Sequence, residues 1–334
     1  MAEKRFLLCR PLGGLNDTLC QINHCRRYAE KYGRILIVDG RYSGILGEFG
    51  DYFEMAGTDH IISTTSPEMP DIDAMDCLPA EVRGRVSTIK WSGYTSPEGY
   101  VTIDSITGVP LRFDWTCNHE VPLLIHQQSG GGISSFDLLE HLTLVPALAA
   151  RVRAAIEAVP QPYLALHIRN TDYKTDLNMV MEFMLKRNVR RNLVLCTDNP
   201  ATYDWFRAGL PKVRMHRITT PAVEVTGPLH RTARNAEAKV RRDVAENSII
   251  ELCALAGANT LFVCALDSHD TPKGLNKFQT DQTRLSGFSR LAVHLCRDKA
   301  RLRRFMGAAG EGFLPDQTLG RFIYIRPGVA PTEV

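Results

Sequence analysis

The chain has 334 residues, which is long for one hydrophobic core and comfortable for two domains of roughly 150 residues each. With 44% hydrophobic and 23% charged residues, it is expected to fold rather than to stay disordered. A net charge of +3 is too small to argue for nucleic acid, and no stretch approaches the roughly 20 apolar residues of a membrane span.

The opening, M-A-E-K-R-F-L-L-C-R-P, has an apolar run too short for a signal peptide before Arg10 and Pro11. Residues 5–9 read as a first strand. Gly13-Gly14-Leu15-Asn16-Asp17 follows, then a helix to about Tyr32 that Gly33 stops, and a second strand at 35–38. This is a βαβ unit. A Gly-Gly turn before a helix either turns backbone N–H groups toward a ligand anion or simply provides positive φ.

From Gly44 to about Gly132 short apolar pieces alternate with Gly, Pro, Ser and Thr. Residues 89–91, 100–103 and 123–126 are candidate strands. Asp71-Ile72-Asp73 matches a pattern that holds a divalent ion on a nucleotide diphosphate, but Pro70 before it marks a turn, and no metal site is assigned. Gly130-Gly131-Gly132 reads as a hinge or linker. Residues 135–158 read as helix, with Pro146 starting or kinking a second piece. The domains are therefore drawn as 1–145 and 146–334.

The second half alternates strand and helix. Strand 163–168 ends in His167, Arg169, Asp172 and Asp176. Helix 176–188 follows, then strand 192–196 ending in Thr197-Asp198-Asn199, a helix with Trp205 and Phe206, and strand 213–218. Basic residues cluster at 231–242, read as a solvated helix face. Helix 243–257 runs into strand 260–265, a polar loop spans 266–284, and a last helix runs from about Phe288 to Met306. Apolar runs of four to six between helices predict parallel sheet covered on both faces. The nine cysteines are odd in number and include no C-x-x-C pair, which predicts a reducing, cytoplasmic setting.

Four loops carry the functional argument: Gly13-Gly14-Leu15-Asn16, His167-Ile168-Arg169-Asn170-Thr171-Asp172, Thr197-Asp198-Asn199, and Ser286-Gly287-Phe288-Ser289 with Glu251 one helix earlier. In this order they resemble the fucosyltransferase superfamily that includes the rhizobial nodulation enzyme and the α1,6-, α1,2- and protein O-fucosyltransferases. The resemblance implies an α/β, GT-B-like protein, with two Rossmann-like domains facing each other across a cleft. It implies an acceptor-side first domain and a nucleotide-sugar-binding second domain. The implied activity is inverting, metal-independent transfer of fucose from GDP-fucose, with no other cofactor, to a glycan or protein hydroxyl.

Position by position, the resemblance makes Arg169 the arginine that neutralises the β-phosphate, with His167 lining the same pocket. Gly13, Gly14 and Asn16 lie near the sugar or diphosphate, and Asp172, which orients its loop, and Asp198 belong to the donor-binding set. Glu251 reads guanine, Ser286 and Ser289 hold phosphate, and Phe288 packs beneath the nucleotide. The general base is Asp176 or Asp17. Asn170 stands where the relatives carry a second arginine, and loop 266–284, with Asp267, His269, Asp270, Lys273, Lys277 and Arg284, is an insertion. From the residues alone, His167 also reads as a core histidine at a strand end, Glu251 as a solvated helix residue and Ser286 as an ordinary N-cap. Two other functions stay open: transfer from another nucleotide sugar, and a catalytically silent nucleotide- or glycan-binding relative.

Overall fold

The computed structural model describes residues 4–55, 60–96, 99–221, 229–267, 284–312, 320–326 and 332–333. The chain divides into two compact units, residues 1–142 and 143–334.

In the first unit, β1 (Phe6–Cys9), α1 (Leu15–Tyr32) and β2 (Ile35–Val38) form the expected βαβ start. Then come β3 (Phe53–Met55), β4 (Ile61–Ser63), β5 (Cys77–Leu78), β6 (Trp91–Ser96), β7 (Gly99–Asp104), β8 (Leu123–His126) and α2 (Ser135–Leu139). The main sheet runs β4-β2-β1-β8-β5 with every pair parallel. One face of it buries Phe6, Leu8, Ile37, Leu123 and Ile125. Strands buried on both faces carry apolar residues without alternation, which is why F-L-L-C and L-L-I-H read as continuous apolar runs. β6 and β7 instead pair with each other as an antiparallel hairpin. Residue 91 opens its first strand, and Ile89 before it is packed in a turn.

Two expectations fail here. The three glycines at 130–132 are not a linker between units. Gln21 donates to the Gly130 carbonyl at 2.7 Å and Asn16 to that of Gly132 at 3.2 Å, so the segment is clamped onto α1 inside the first unit. Of the helix read over 135–158, the second piece does start at Pro146, but the first is cut short. α2 ends at Leu139, a short strand β9 (Leu142–Leu144) follows, and α3 (Pro146–Glu157) begins with Pro146 in its first turn. Proline fits there because the missing N–H has no helical partner to lose.

The second unit continues with β10 (Tyr163–Ile168), α4 (Leu177–Lys186), β11 (Asn192–Thr197), α5 (Pro200–Gly209), β12 (Arg214–His216), α6 (Leu229–Arg234), α7 (Ala238–Gly257) and β13 (Thr260–Cys264). α8 (Gly287–Arg297), α9 (Lys299–Met306), β14 (Arg321–Ile325) and β15 (Thr332–Glu333) complete it. The sheet order is β12-β11-β10-β13-β14-β15, parallel except for β15 at the edge. Leu166, Ile168, Val180, Leu193, Phe206 and Phe262 form its core. The single helix expected to Met306 is two, because Asp298 leaves helical geometry and accepts from the Ala300 and Arg301 amides to start α9. β10 lies in the middle of the sheet, so its carboxyl end opens between β11 and β13, where ligands of parallel sheets bind.

Among the described residues no helix is long and apolar enough to cross a membrane. None of the nine cysteines is in a disulfide, and eight are buried.

Candidate active site at the carboxyl edge of the second sheet

β10 delivers His167 as its penultimate residue. The side chain is buried, and its Nδ1 lies 2.7 Å from the Ser289 hydroxyl of α8. Ser286 caps α8: its oxygen accepts from the Ser289 amide at 3.1 Å, and its hydroxyl donates to Ser289 Oγ at 3.0 Å. Ser289 Oγ thus keeps its own proton to offer Nδ1, the arrangement that places the His167 proton on Nε2. Burial, helped by the Arg169 charge, pushes the His167 pKa down to about 3. At neutral pH His167 is a neutral N–H donor. The Phe288 ring lies 5.1 Å from the imidazole. The Ser286 and Ser289 hydroxyls are bonded to each other and to His167. What the first turn of α8 offers an anion is its backbone N–H groups.

Arg169 is held by two carboxylates. Asp198, at the end of β11, sits 2.9 Å from Nη1, and Asp172 Oδ1 accepts from Nε at 3.1 Å and from Nη2 at 2.5 Å. Asp198 also accepts from the Asn170 amide at 2.8 Å and from Thr171 Oγ1 at 2.6 Å. It thus ties the loop after β10 to the end of β11. Burial works to raise the Asp172 pKa, but the Arg169 charge and hydrogen bonds from Arg169, Thr171 and the Tyr173 amide outweigh it and hold the carboxyl below its ordinary value. Asn170 donates its amide to Thr202 Oγ1 at 2.8 Å, so the residue in place of a second arginine secures the loop to α5. Thr175 closes the turn by donating to the Arg169 carbonyl at 2.9 Å.

Glu251 of α7 lines the same edge. Thr219 donates to its carboxyl, and Arg217 and Asp198 lie within its electrostatic reach. Burial pushes its pKa up to about 7, against the Thr219 hydrogen bond and the Arg217 charge. Thr219 also lines a cavity of about 540 Å³ between α3, residues 218–221 and α7, with Arg151, Asn247 and Ile250 on its walls. His230 of α6 was not singled out in the sequence. It is driven down to about 4 by burial first and by Arg169 next, so α6 lies beside the same arginine. An isolated histidine in a polar, basic stretch gives no local signal of that neighbour.

Other expected residues have different employment. Asp176 is an exposed N-cap of α4 that accepts from the Met179 amide at 3.0 Å. Asp17 caps α1 by accepting from the Gly14 amide at 3.2 Å. Gly13 has φ +107°, and a Cβ there would lie 2.7 Å from Asp17 Oδ2, so glycine is required by the turn itself. The Asn16 side chain bonds Gly132 and Ser135. Gly13, Gly14, Asn16 and Asp17 all belong to the first unit, while the other candidates gather in the second. Asp71 and Asp73 form a turn in which Asp71 accepts from the Asp73 amide and Asp73 from Ser87. Among the described residues no group of three His, Cys, Asp or Glu side chains could hold a metal ion. In loop 266–284, His269, Asp270, Lys273 and Lys277 lie outside the described residues. At its described ends, the Asp267 amide donates to the Lys174 carbonyl at 2.7 Å and the Leu266 amide to the Arg284 carbonyl at 2.9 Å.

Two Rossmann-like units, each with a parallel sheet, make this an α/β protein of the GT-B class, the fold used by fucosyltransferases. It is similar along its whole length to the fucosyltransferase NodZ from Bradyrhizobium, with 16% identity, a TM-score of 0.52, and coverage of 100% of this chain and 99% of that one. NodZ alpha-1,6-fucosyltransferase soaked with GDP-fucose gives 16% identity, a TM-score of 0.51 and 99% coverage of both chains. POFUT1 in complex with GDP gives 11% identity and a TM-score of 0.52 over 98% of this chain and 99% of that one. No family model and no curated protein sequence matches the chain.

Proposed function

We propose that the chain is a glycosyltransferase that moves fucose from GDP-fucose to a hydroxyl of a glycan or protein, with inversion and without a metal ion. The observation that carries this is the set of donors at one sheet edge: Arg169, neutral His167 and the amino end of α8. Its support is the whole-chain likeness to structures solved with GDP-fucose or GDP.

The acceptor hydroxyl attacks the anomeric carbon as the bond to the β-phosphate oxygen breaks. Negative charge grows on that phosphate, and Arg169 with the His167 Nε2–H meets it. Such preorganised donors are usually the largest catalytic term, about 3 kcal/mol for each one removed. Glu251 accepts from the guanine N–H groups. The second domain, 146–334, holds the donor, and the first, 1–145, receives the acceptor. Asp17 and Asp176 both spend their carboxylates capping helices, so the departing phosphate takes the acceptor proton. Nine cysteines without a disulfide fit a reducing, cytoplasmic setting.

Titration calorimetry with GDP, with and without EDTA, tests the reading. Micromolar binding unaffected by EDTA is expected, with UDP and ADP competing poorly. No binding at millimolar GDP sinks it. A second reading, a recognition module that binds without transfer, is favoured by Asn170, which brings no positive charge to the pocket. Slow release of fucose from the donor in the absence of acceptor would exclude it.

A further inference from the structure

Around Arg169 one guanidinium faces two carboxylates, so its direct ion pairs leave one negative charge over, although Arg231 and Arg234 act on the neighbouring His230 and Lys174 donates to the Asn170 carbonyl. A diphosphate brings further negative charge to the same place. Both carboxylates cannot stay while it binds, and the geometry distinguishes them. Asp198 is the inner one: its side chain is 7% exposed and is anchored by the Asn170 amide and Thr171 Oγ1. Asp172 is the outer one, 28% exposed; Thr171 Oγ1 and the Tyr173 amide also reach it, but it meets both Nε and Nη2 with the single oxygen Oδ1. The Nε–Nη2 edge of a guanidinium is built for two parallel hydrogen bonds to two oxygens, which a phosphate supplies and this contact does not. Position 170, where a second arginine would have balanced the charge, holds an asparagine turned to Thr202.

We infer that Asp172 is a built-in competitor for the donor's diphosphate. It fills the Nε–Nη2 edge of Arg169, and the donor binds by exchanging places with it while Asp198 holds the guanidinium from the inner side. Asp172 is then a positioning residue that sets donor affinity, not a donor ligand. This rests on the reading that Arg169 receives a diphosphate.

The test is calorimetry on the full chain with two probes, GDP and inorganic diphosphate. Asp172→Ala is expected to bind both about threefold more tightly than wild type, the scale of a half-exposed ion pair removed from competition. The gain should shrink as salt is added. Asp172→Asn should show a smaller gain, because a carboxamide oxygen still accepts from Arg169 without its charge. Asp198→Asn should bind more weakly, since the loop loses its anchor. Unchanged or weaker GDP binding by both Asp172 variants, with unaltered thermal unfolding, overturns the inference and leaves the fucosyl-donor reading intact. Tighter diphosphate binding by Asp172→Ala in a protein that ignores GDP does the reverse. Binding of neither probe by any variant overturns both.

Discussion

Ser289 Oγ lies 2.7 Å from Nδ1 of His167 and already accepts from the Ser286 hydroxyl, an arrangement that favours a Ser289 proton on Nδ1 and the His167 proton on Nε2. Replacing Ser289 by alanine leaves Nδ1 without its donor in a buried site. The two tautomers then compete, and kcat is expected to fall about tenfold, the size of one lost buried hydrogen bond. Nitrogen chemical shifts of the imidazole should move from a single tautomer to a mixture. An unaltered tautomer in that variant would mean that something other than Ser289 sets it.

Arg169→Ala should reduce kcat by two to three orders of magnitude. Arg169→Lys should recover little of it, because an ammonium cannot hold Asp198 and at the same time offer a phosphate the two parallel hydrogen bonds of the Nε–Nη2 edge. Arg169→Ala should lower the unfolding temperature by a few degrees, because buried Asp198 loses its charged partner but keeps the Asn170 amide and Thr171 hydroxyl, and Arg169→Lys by less. Wild-type turnover by either would remove Arg169 from the mechanism.

If Glu251 reads guanine as proposed, GDP binding should depend on pH. Its carboxyl is raised from 4.5 to about 7, so the folded chain holds this proton more tightly than the unfolded one. Its contribution to stability is complete below pH 4.5 and is lost as pH rises through 7. Guanine needs the ionised form, so GDP should bind about tenfold more weakly at pH 6 than at pH 8. Glu251→Gln should bind weakly and without that slope. A flat profile in the wild type would separate Glu251 from the base.

The first unit has an internal test of its own. Arg10 and Asp39 are both buried, paired at 3.0 Å, and Arg10 also donates to the Val86 carbonyl at 2.7 Å. Arg10→Met leaves Asp39 with only the half-exposed Arg41 and should cost about 3 kcal/mol. Adding Asp39→Leu should return part of that loss. Urea midpoints of the three proteins check this, and a double variant no better than the single would show the pair is not the cause.

Much of the second unit was legible because its signals are local. An apolar run ending in charge gave β10 and Arg169, and Asp176 and Ser286 each precede the helices they cap. The βαβ opening was equally plain. What local pattern could not supply was partnership at a distance. Nothing near Gly130 announces that Gln21 holds it from 109 residues earlier, and a triple glycine is ordinarily a flexible spacer. The inward turn of Ser289 is set by His167, 122 residues before it. Asn170 read as a gap in a pattern, yet its amide and side chain secure the loop that carries Arg169. α6 was read only as part of a basic helix face over 231–242, because six residues make too short a window to separate it from the start of α7.

Of the nine thiols only Cys117 is exposed, and it belongs to the first unit. A maleimide dye should therefore label the native protein once, at a known address, without any engineered cysteine. The second unit, whose four thiols are all buried, stays dark. Added GDP that binds only the second unit would then change the dye's emission solely through what it does to the first.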